Sequence, residues 1–140
     1  MKKILIVEDD QKIAMALSIR LKANGYNPSV ASDAIAGPSQ ARAIKPDLIL
    51  LDISMPGGNG FQLAETFRRM PETSATPLIF ITASKNPELM AKVIELGAIG
   101  LFEKPFNTEK LLGFIEDKFN RMTDLSRDGQ RSADNRPHAR

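Results

Sequence analysis

Acidic residues follow two apolar runs of the sequence, at points where buried strands would end. One run is followed by Glu8, Asp9 and Asp10, and the run from Leu48 to Leu51 ends in Asp52. Carboxylates that converge repel each other, so at least one pKa rises unless a cation is bound. Oxygen ligands without His or Cys indicate a hard cation, and Mg²⁺ suits one or two carboxylates, a carbonyl and several waters.

Two further residues could act on a phosphoryl group at the same place. Thr82 ends another apolar run, and Lys104 precedes Pro105 just after the last one. A metal-bound carboxylate beside a lysine and a hydroxyl can accept a phosphoryl group, because the cations neutralise charge on the transferring oxygens. From these residues alone, a solvated turn with Asp10 as a helix cap and a surface Lys104 remain open alternatives.

The elements that must position these residues alternate regularly along the chain. The patterns predict strands at 3–7, 28–31, 48–52, 78–82 and 99–102, and helices at 11–24, up to 45, near 59–70, from 86 to 97 and from 107 onward. Continuous apolar strands separated by helices predict a parallel sheet covered on both faces. With right-handed crossovers this is an α/β fold, a doubly wound three-layer αβα sandwich. Ligands of such sheets bind outside the carboxyl ends of the strands.

Length and composition set the remaining limits. A chain of 140 residues, 42% hydrophobic and 26% charged, fits one globular domain. The absence of cysteine excludes disulfides and thiol catalysis. No apolar run reaches the length of a membrane span, so we expect a cytoplasmic protein without a membrane partner. Periodicity ends after Met122, which predicts a domain at 1–122 and a polar, disordered tail at 123–140.

The net charge of +2 does not indicate a nucleic-acid surface. Residues 121–140 contain five Arg and three Asp and no Lys or Glu, so they carry the whole excess. Residues 1–120 are therefore neutral overall, without the basic excess that nucleic-acid binding requires.

Four segments in order, "ILIVEDD", "PDLILLDISMPGGNG", "IFITAS" and "EKPF", resemble the receiver domain of two-component response regulators. The resemblance covers about residues 2–120 and implies the flavodoxin-like strand order 2-1-3-4-5. It implies that Asp52 is the phosphoacceptor, with Thr82 bonding a phosphoryl oxygen and Lys104 pairing with the phosphate. It also implies a cis peptide bond before Pro105.

The same resemblance implies a Mg²⁺ cofactor, for which Mn²⁺ can substitute. Its ligands would be Asp9 directly, Glu8 through water, Asp52, and the backbone carbonyl of Ser54. Asp10 lies at a variable position of the family, and its place before a helix favours a cap over a ligand.

The function implied is a phosphorylation switch in two-component signalling, not a turnover enzyme. The donor would be a histidine kinase or a histidine phosphotransfer protein. The output would be a downstream protein that binds the face of the fourth helix, fifth strand and fifth helix. No DNA-binding segment follows the predicted domain, so we expect a stand-alone receiver without DNA binding.

Other function classes fit less well. A module that keeps the fold without phosphorylation stays the main alternative. A phosphatase of the haloacid dehalogenase type would have a second acid two residues after the nucleophile, where this chain has Ser54. A nucleotide-binding protein would show a P-loop or a G-x-G-x-x-G motif after the first strand.

One departure from the family concerns the output. Many receivers carry Tyr or Phe three residues before the matched lysine, where this chain has Leu101. The neighbouring Phe102 should point to the opposite face of the strand. We therefore expect a muted or differently routed change on the output face.

Overall fold

The computed structural model describes residues 1–55, 60–84 and 86–134, of which 123–134 are described by backbone alone. The described residues form two compact units, Met1–Pro105 and a second that begins at Phe106. In chain order the elements are β1 (Lys3–Val7), α1 (Gln11–Ala23), β2 (Asn27–Ala31), α2 (Ala36–Ile44), β3 (Leu48–Asp52), α3 (Gly60–Arg69), β4 (Leu78–Thr82), α4 (Leu89–Glu95), β5 (Gly100–Glu103) and α5 (Thr108–Asp134).

The five strands form one parallel sheet in the order β2-β1-β3-β4-β5, which confirms the predicted flavodoxin-like order. The chain passes from β1 to β2, which is an outermost strand of the sheet, and then returns to β3 on the other side of β1. Strand order therefore reverses between β1 and β3, where ligands of such sheets bind. The register pairs Val7 with Leu51 and Asp52 with Ile81, so the carboxyl ends of β1, β3 and β4 lie at one edge.

Both faces of the central strands are buried, which explains why these strands are apolar without interruption. On one face, alternate residues of β1, β3 and β4 pack against Leu63, Ala64 and Phe67 of α3 and Val93 of α4. Alternate residues on the opposite face are buried as well. The residues of the two faces are, respectively, Leu5, Val7, Ile49, Leu51, Leu78 and Phe80, and Ile4, Ile6, Leu48, Leu50, Ile79 and Ile81.

The helix ends follow from local chemistry. Asp10 caps α1, since its Oδ1 accepts the N–H groups of Lys12 at 2.9 Å and Ile13 at 3.2 Å. Pro38 lies in the first turn of α2, where its missing N–H costs no helical hydrogen bond. Gly97 follows α4 with a φ of 70°, the left-handed conformation that ends many helices.

The C-terminal prediction needs a correction. We predicted a disordered tail from residue 123, but α5 begins after its cap Asn107 and continues to Asp134. Residues 123–134 contain one large apolar residue, Leu125, so no apolar periodicity marks this stretch, although no proline interrupts the chain between 108 and 134. Residues 135–140 of the predicted tail, and the predicted turn and helix start at 56–59, lie outside the described residues.

Candidate functional site

Three acids meet at the edge where strand order reverses. Glu8 and Asp9 follow β1, and Asp52 ends the neighbouring β3. Each offers a carboxylate oxygen, and these oxygens lie within 4.8 Å of one another. Glu8 and Asp52 are each only 1% exposed, whereas Asp9 is exposed. The cluster therefore has a buried floor and one acid open to solvent.

Lys104 supplies the positive charge of the cluster. It follows β5, and its peptide bond to Pro105 is cis, as the resemblance implies. Its Nζ lies 2.8 Å from Asp52 Oδ2 and donates to Glu8 Oε2 at 3.2 Å. Glu8 Oε1 lies at 3.0 Å from the same Nζ, yet the angles there do not form a hydrogen bond. One ammonium thus neutralises part of a charge shared by two buried carboxylates.

The two buried carboxylates and the partly buried Lys104 shift one another's pKa values in different directions. Burial raises the pKa of Glu8 to about 7, against the opposing hydrogen bond from the Asp10 N–H at 3.1 Å. Burial alone would raise the pKa of Asp52 too, but the hydrogen bonds from Lys104 and Ser54 lower it below its usual value. Burial alone would lower the pKa of Lys104, but the hydrogen bonds and charges of Asp52 and Glu8 raise it overall. Asp52 is therefore an ionised carboxylate at neutral pH, beside a Glu8 that is near its titration point.

The oxygen atoms of the cluster fit a hard divalent cation. The donors that the structure brings together are carboxylates, to which the resemblance adds the backbone carbonyl of Ser54, and this chemistry suits Mg²⁺. Glu8 Oε1 is buried 3.0 Å from Lys104 Nζ and accepts no hydrogen bond among the described residues, so it could still accept one from a metal-bound water. Asp10 is used as a helix cap, so it is not needed as a ligand.

Ser54 contacts the cluster in a way that the sequence analysis missed. Its N–H and its hydroxyl both donate to Asp52 Oδ1, at 2.8 Å and 2.6 Å. Its Oγ also accepts the N–H of Ala83 at 3.2 Å. The signal in the sequence is the spacing Asp-x-Ser, which lets a hydroxyl and an amide turn back onto the preceding carboxylate.

Thr82 ends β4 at the same edge of the sheet. Its side chain is 2% exposed, and its Oγ1 accepts the N–H of Ser84 at 3.0 Å. A hydroxyl that accepts one hydrogen bond still has its own proton to donate. Thr82 thus lies at the carboxyl end of β4, next to the strand that ends in Asp52, and its bond to Ser84 leaves its hydroxyl proton free to be donated.

Leu101 and Phe102 lie on opposite faces of β5, as strand alternation predicts. Leu101 pairs with Phe80 and packs against the buried cluster of that face, while Phe102 pairs with Ile81. Leu101 also lines a cavity of about 200 Å³ together with Thr82 and Met90. The side chain at this position is therefore aliphatic and lies next to an open space beside Thr82.

A model of the response regulator receiver domain family matches residues 4–116. The chain belongs to this family. The receiver is similar to the phosphate regulon transcriptional regulatory protein PhoB of Klebsiella pneumoniae, with 32% identity over 89% of this chain and 55% of that protein. It is also 34% identical to the regulator RpaA of Synechocystis, over 82% of this chain and 48% of RpaA. The receiver thus spans about half the length of the curated relatives that it matches.

Solved structures agree with this assignment. The chemotaxis protein CheY4 of Vibrio cholerae matches with a TM-score of 0.78 and 31% identity, over 84% of this chain and 98% of CheY4. A CheY-like receiver from Methanospirillum hungatei gives a TM-score of 0.81 and 27% identity, over 89% and 98% of the two chains. These matches confirm the predicted fold and the predicted place of the receiver in two-component signalling. Within the described residues, no helix is both long and apolar enough to cross a membrane.

Proposed function

We propose that this receiver is a phosphorylation switch in which Asp52 accepts a phosphoryl group in a Mg²⁺-dependent reaction. The observation that carries the proposal is the Asp52 carboxylate itself. It is buried, its pKa is lowered, and Lys104 Nζ lies 2.8 Å from its Oδ2, within a cluster of three acids. A buried nucleophile with a fixed cation beside it is suited to receive a dianionic group.

The transfer step follows from the placement of these side chains. An Asp52 oxygen attacks phosphorus, a new oxygen–phosphorus bond forms, and the bond to the donor's histidine nitrogen breaks. The electron pair leaves with that imidazole, which then takes a proton. Lys104 neutralises the charge that gathers on the phosphoryl oxygens, and Thr82 donates its hydroxyl proton to one of them.

The metal would be held by Asp9, by Asp52, by the carbonyl of Ser54 and, through water, by Glu8. Mg²⁺, or Mn²⁺ in its place, would supply positive charge that offsets the mutual repulsion of the acids and of the incoming phosphate. Glu8 Oε1 forms an ion pair with Lys104 Nζ at 3.0 Å but accepts no hydrogen bond among the described residues, so it keeps acceptor capacity for a metal-bound water.

The partners proposed are a histidine kinase or histidine phosphotransfer protein as donor and a downstream protein as target. On the target side, α4 exposes Met90 and Ile94, which are four residues apart and so share one helical face. PhoB and RpaA are named as transcriptional regulators, but the chain matches only about half of each. For the residues matched here we propose protein contact as the output, without turnover of an external substrate.

A phosphorylation-independent binding module is the second candidate. Leu101 favours it, because the side chain beside Thr82 is aliphatic and small enough to leave the adjoining cavity open. The acid cluster and Lys104 oppose it, since a module without phosphorylation would have no use for buried charges that cost folding energy.

Intact-mass measurement with acetyl phosphate separates the two candidates. The wild type should gain one phosphoryl group with Mg²⁺ and none with a chelator, and the isosteric Asp52→Asn should gain none. Asp117→Asn, an exposed acid on α5, is the matched control and should behave as the wild type. Failure of the wild type to react, while a known receiver reacts in parallel, would leave the binding module.

A further inference from the structure

The hydroxyl of Ser54 joins the proposed acceptor to the turn after the neighbouring strand. It donates to Asp52 Oδ1 at 2.6 Å, the shorter of the two bonds that Ser54 makes to this oxygen. At the same time its Oγ accepts the N–H of Ala83 at 3.2 Å. Ala83 follows β4 directly, so one hydroxyl links the ends of β3 and β4.

The hydrogen bonds of Asp52 leave little room for other partners. An ionised carboxylate has about two acceptor sites on each oxygen. On Oδ1 these are taken by the N–H and the O–H of Ser54, and on Oδ2 one is taken by Lys104. Under the proposed function, one oxygen must bind the metal while the other attacks phosphorus. Both oxygens therefore need a free site, and Oδ1 has none while the hydroxyl is bound.

Of the two groups on Oδ1, only the hydroxyl can leave easily. The N–H of Ser54 is fixed by the backbone, whereas a serine hydroxyl can move between staggered rotamers about χ1. The same rotation would also release the N–H of Ala83. A backbone N–H next to the acceptor is the type of donor that stabilises charge on a phosphoryl oxygen.

We propose that Ser54 is a positioning residue that latches the unphosphorylated receiver. Its hydroxyl occupies Asp52 Oδ1 and the Ala83 N–H, the two groups that the phosphoryl group needs. This inference rests on the proposed function, because it concerns access to Asp52 as phosphoacceptor. Release of the hydroxyl is then part of the barrier to phosphorylation, and the latch slows the reaction with a donor.

The test compares the rate of phosphorylation by acetyl phosphate in Ser54→Ala and Ser54→Thr at saturating Mg²⁺. In this reaction the bond from phosphorus to the acetyl oxygen breaks and acetate leaves with the electron pair. Ser54→Ala should react about three- to tenfold faster, the factor that one net hydrogen bond represents. Ser54→Thr keeps the hydroxyl and should stay close to the wild type. Ser39→Ala, which removes an exposed hydroxyl from α2, is the control for loss of a serine.

A second readout addresses the latch without any phosphodonor. In the NMR spectrum of the unphosphorylated receiver, the Ala83 amide proton should move upfield in Ser54→Ala, because it loses its acceptor, and hold its position in Ser54→Thr. A merely structural role of Ser54 would not predict this shift together with a faster reaction.

The possible results separate the latch from the function on which it depends. A wild type that reacts, with Ser54→Ala at the same rate or slower, overturns the latch and leaves Asp52 as acceptor. Slower reaction would mean that the hydroxyl assists the transfer instead of obstructing access. A wild type that takes no phosphoryl group overturns the proposed function, and the inference with it, whatever the Ala83 amide does.

Discussion

Glu8 has the most unusual titration among the described acids. Its carboxyl is 1% exposed, and burial raises its pKa from 4.5 to about 7. The folded protein therefore keeps a proton that the unfolded chain releases at lower pH. This contribution to folding is present below about pH 4.5 and is lost as the pH rises through about 7, which amounts to roughly 3 kcal/mol.

With a chelator present, we expect the free energy of unfolding of the wild type to fall between pH 5 and pH 7.5. Glu8→Gln should remove most of this decrease. Denaturant unfolding at several pH values is the measurement. Asp52 does not interfere, because its lowered pKa changes stability only at lower pH. The exposed Glu95→Gln is the control and should keep the wild-type slope. An equal slope in Glu8→Gln would show that Glu8 is ionised throughout.

The sequence could place the charged residues of the site but not all of their contacts. Asp9, Asp52 and Lys104 were predictable because strand ends and a parallel sheet put them at one edge. The Ser54 hydroxyl between Asp52 and Ala83 was not, because it depends on how closely two loops approach. The hydrogen bonds of Arg68 to backbone carbonyls were not predictable either, because no side-chain pattern identifies a backbone acceptor.

At the level of elements, Arg68 joins the end of α3 to two other segments. Its guanidinium donates to the carbonyls of Thr76 at 2.7 Å, Leu96 at 3.0 Å and Gly97 at 3.3 Å. These carbonyls lie before β4 and at the end of α4. Partial burial lowers the pKa of Arg68. One side chain therefore donates hydrogen bonds to carbonyls at the end of α4, which the helix leaves without partners, and to a carbonyl before β4.

We expect Arg68→Met to destabilise the receiver by about 2–3 kcal/mol, because it keeps much of the apolar stem but leaves several carbonyls without donors. Arg68→Lys should recover only part of this loss, since an ammonium cannot reproduce the planar guanidinium. Circular dichroism during urea unfolding measures both. Arg69→Met, an exposed position on the same turn, should change stability by less than about 0.5 kcal/mol. A loss in Arg68→Met no larger than this would contradict the role of the carbonyls.

Helix α5 shows where prediction from periodicity stops. The predicted helix from 107 onward is confirmed, since Asn107 caps it and the apolar residues Leu111, Ile115 and Phe119 at helical spacing are buried. Apolar spacing could not identify the stretch 123–134, because that sequence has one large apolar residue, Leu125, and therefore no apolar periodicity. Sequence patterns therefore predicted the strands and helices well and the end of the last helix poorly, while the sheet order came from the resemblance to receivers.

At the scale of the whole molecule, metal binding and folding should be coupled. A cation that binds only the folded state raises its stability by about 2.7 kcal/mol at a hundredfold excess over Kd. For a chain of this size that corresponds to roughly 5–10 °C in Tm. We expect Mg²⁺ to raise the Tm of the wild type, and more at pH 8 than at pH 5.5, where Glu8 holds its proton and reduces the charge of the site.

Two neighbouring acids make the metal prediction specific. Asp9 belongs to the acid cluster, whereas Asp10 is the cap of α1. Asp9→Asn should abolish most of the Tm increase that Mg²⁺ causes, because it removes the solvent-facing carboxylate. Asp10→Asn should keep the increase, because asparagine caps a helix about as well as aspartate. Thermal unfolding of both variants, with and without Mg²⁺, compares one charge removed at each of two adjacent positions. Equal loss in both would mean that the cation responds to the total charge of the turn, and loss in Asp10→Asn alone would make Asp10 the ligand.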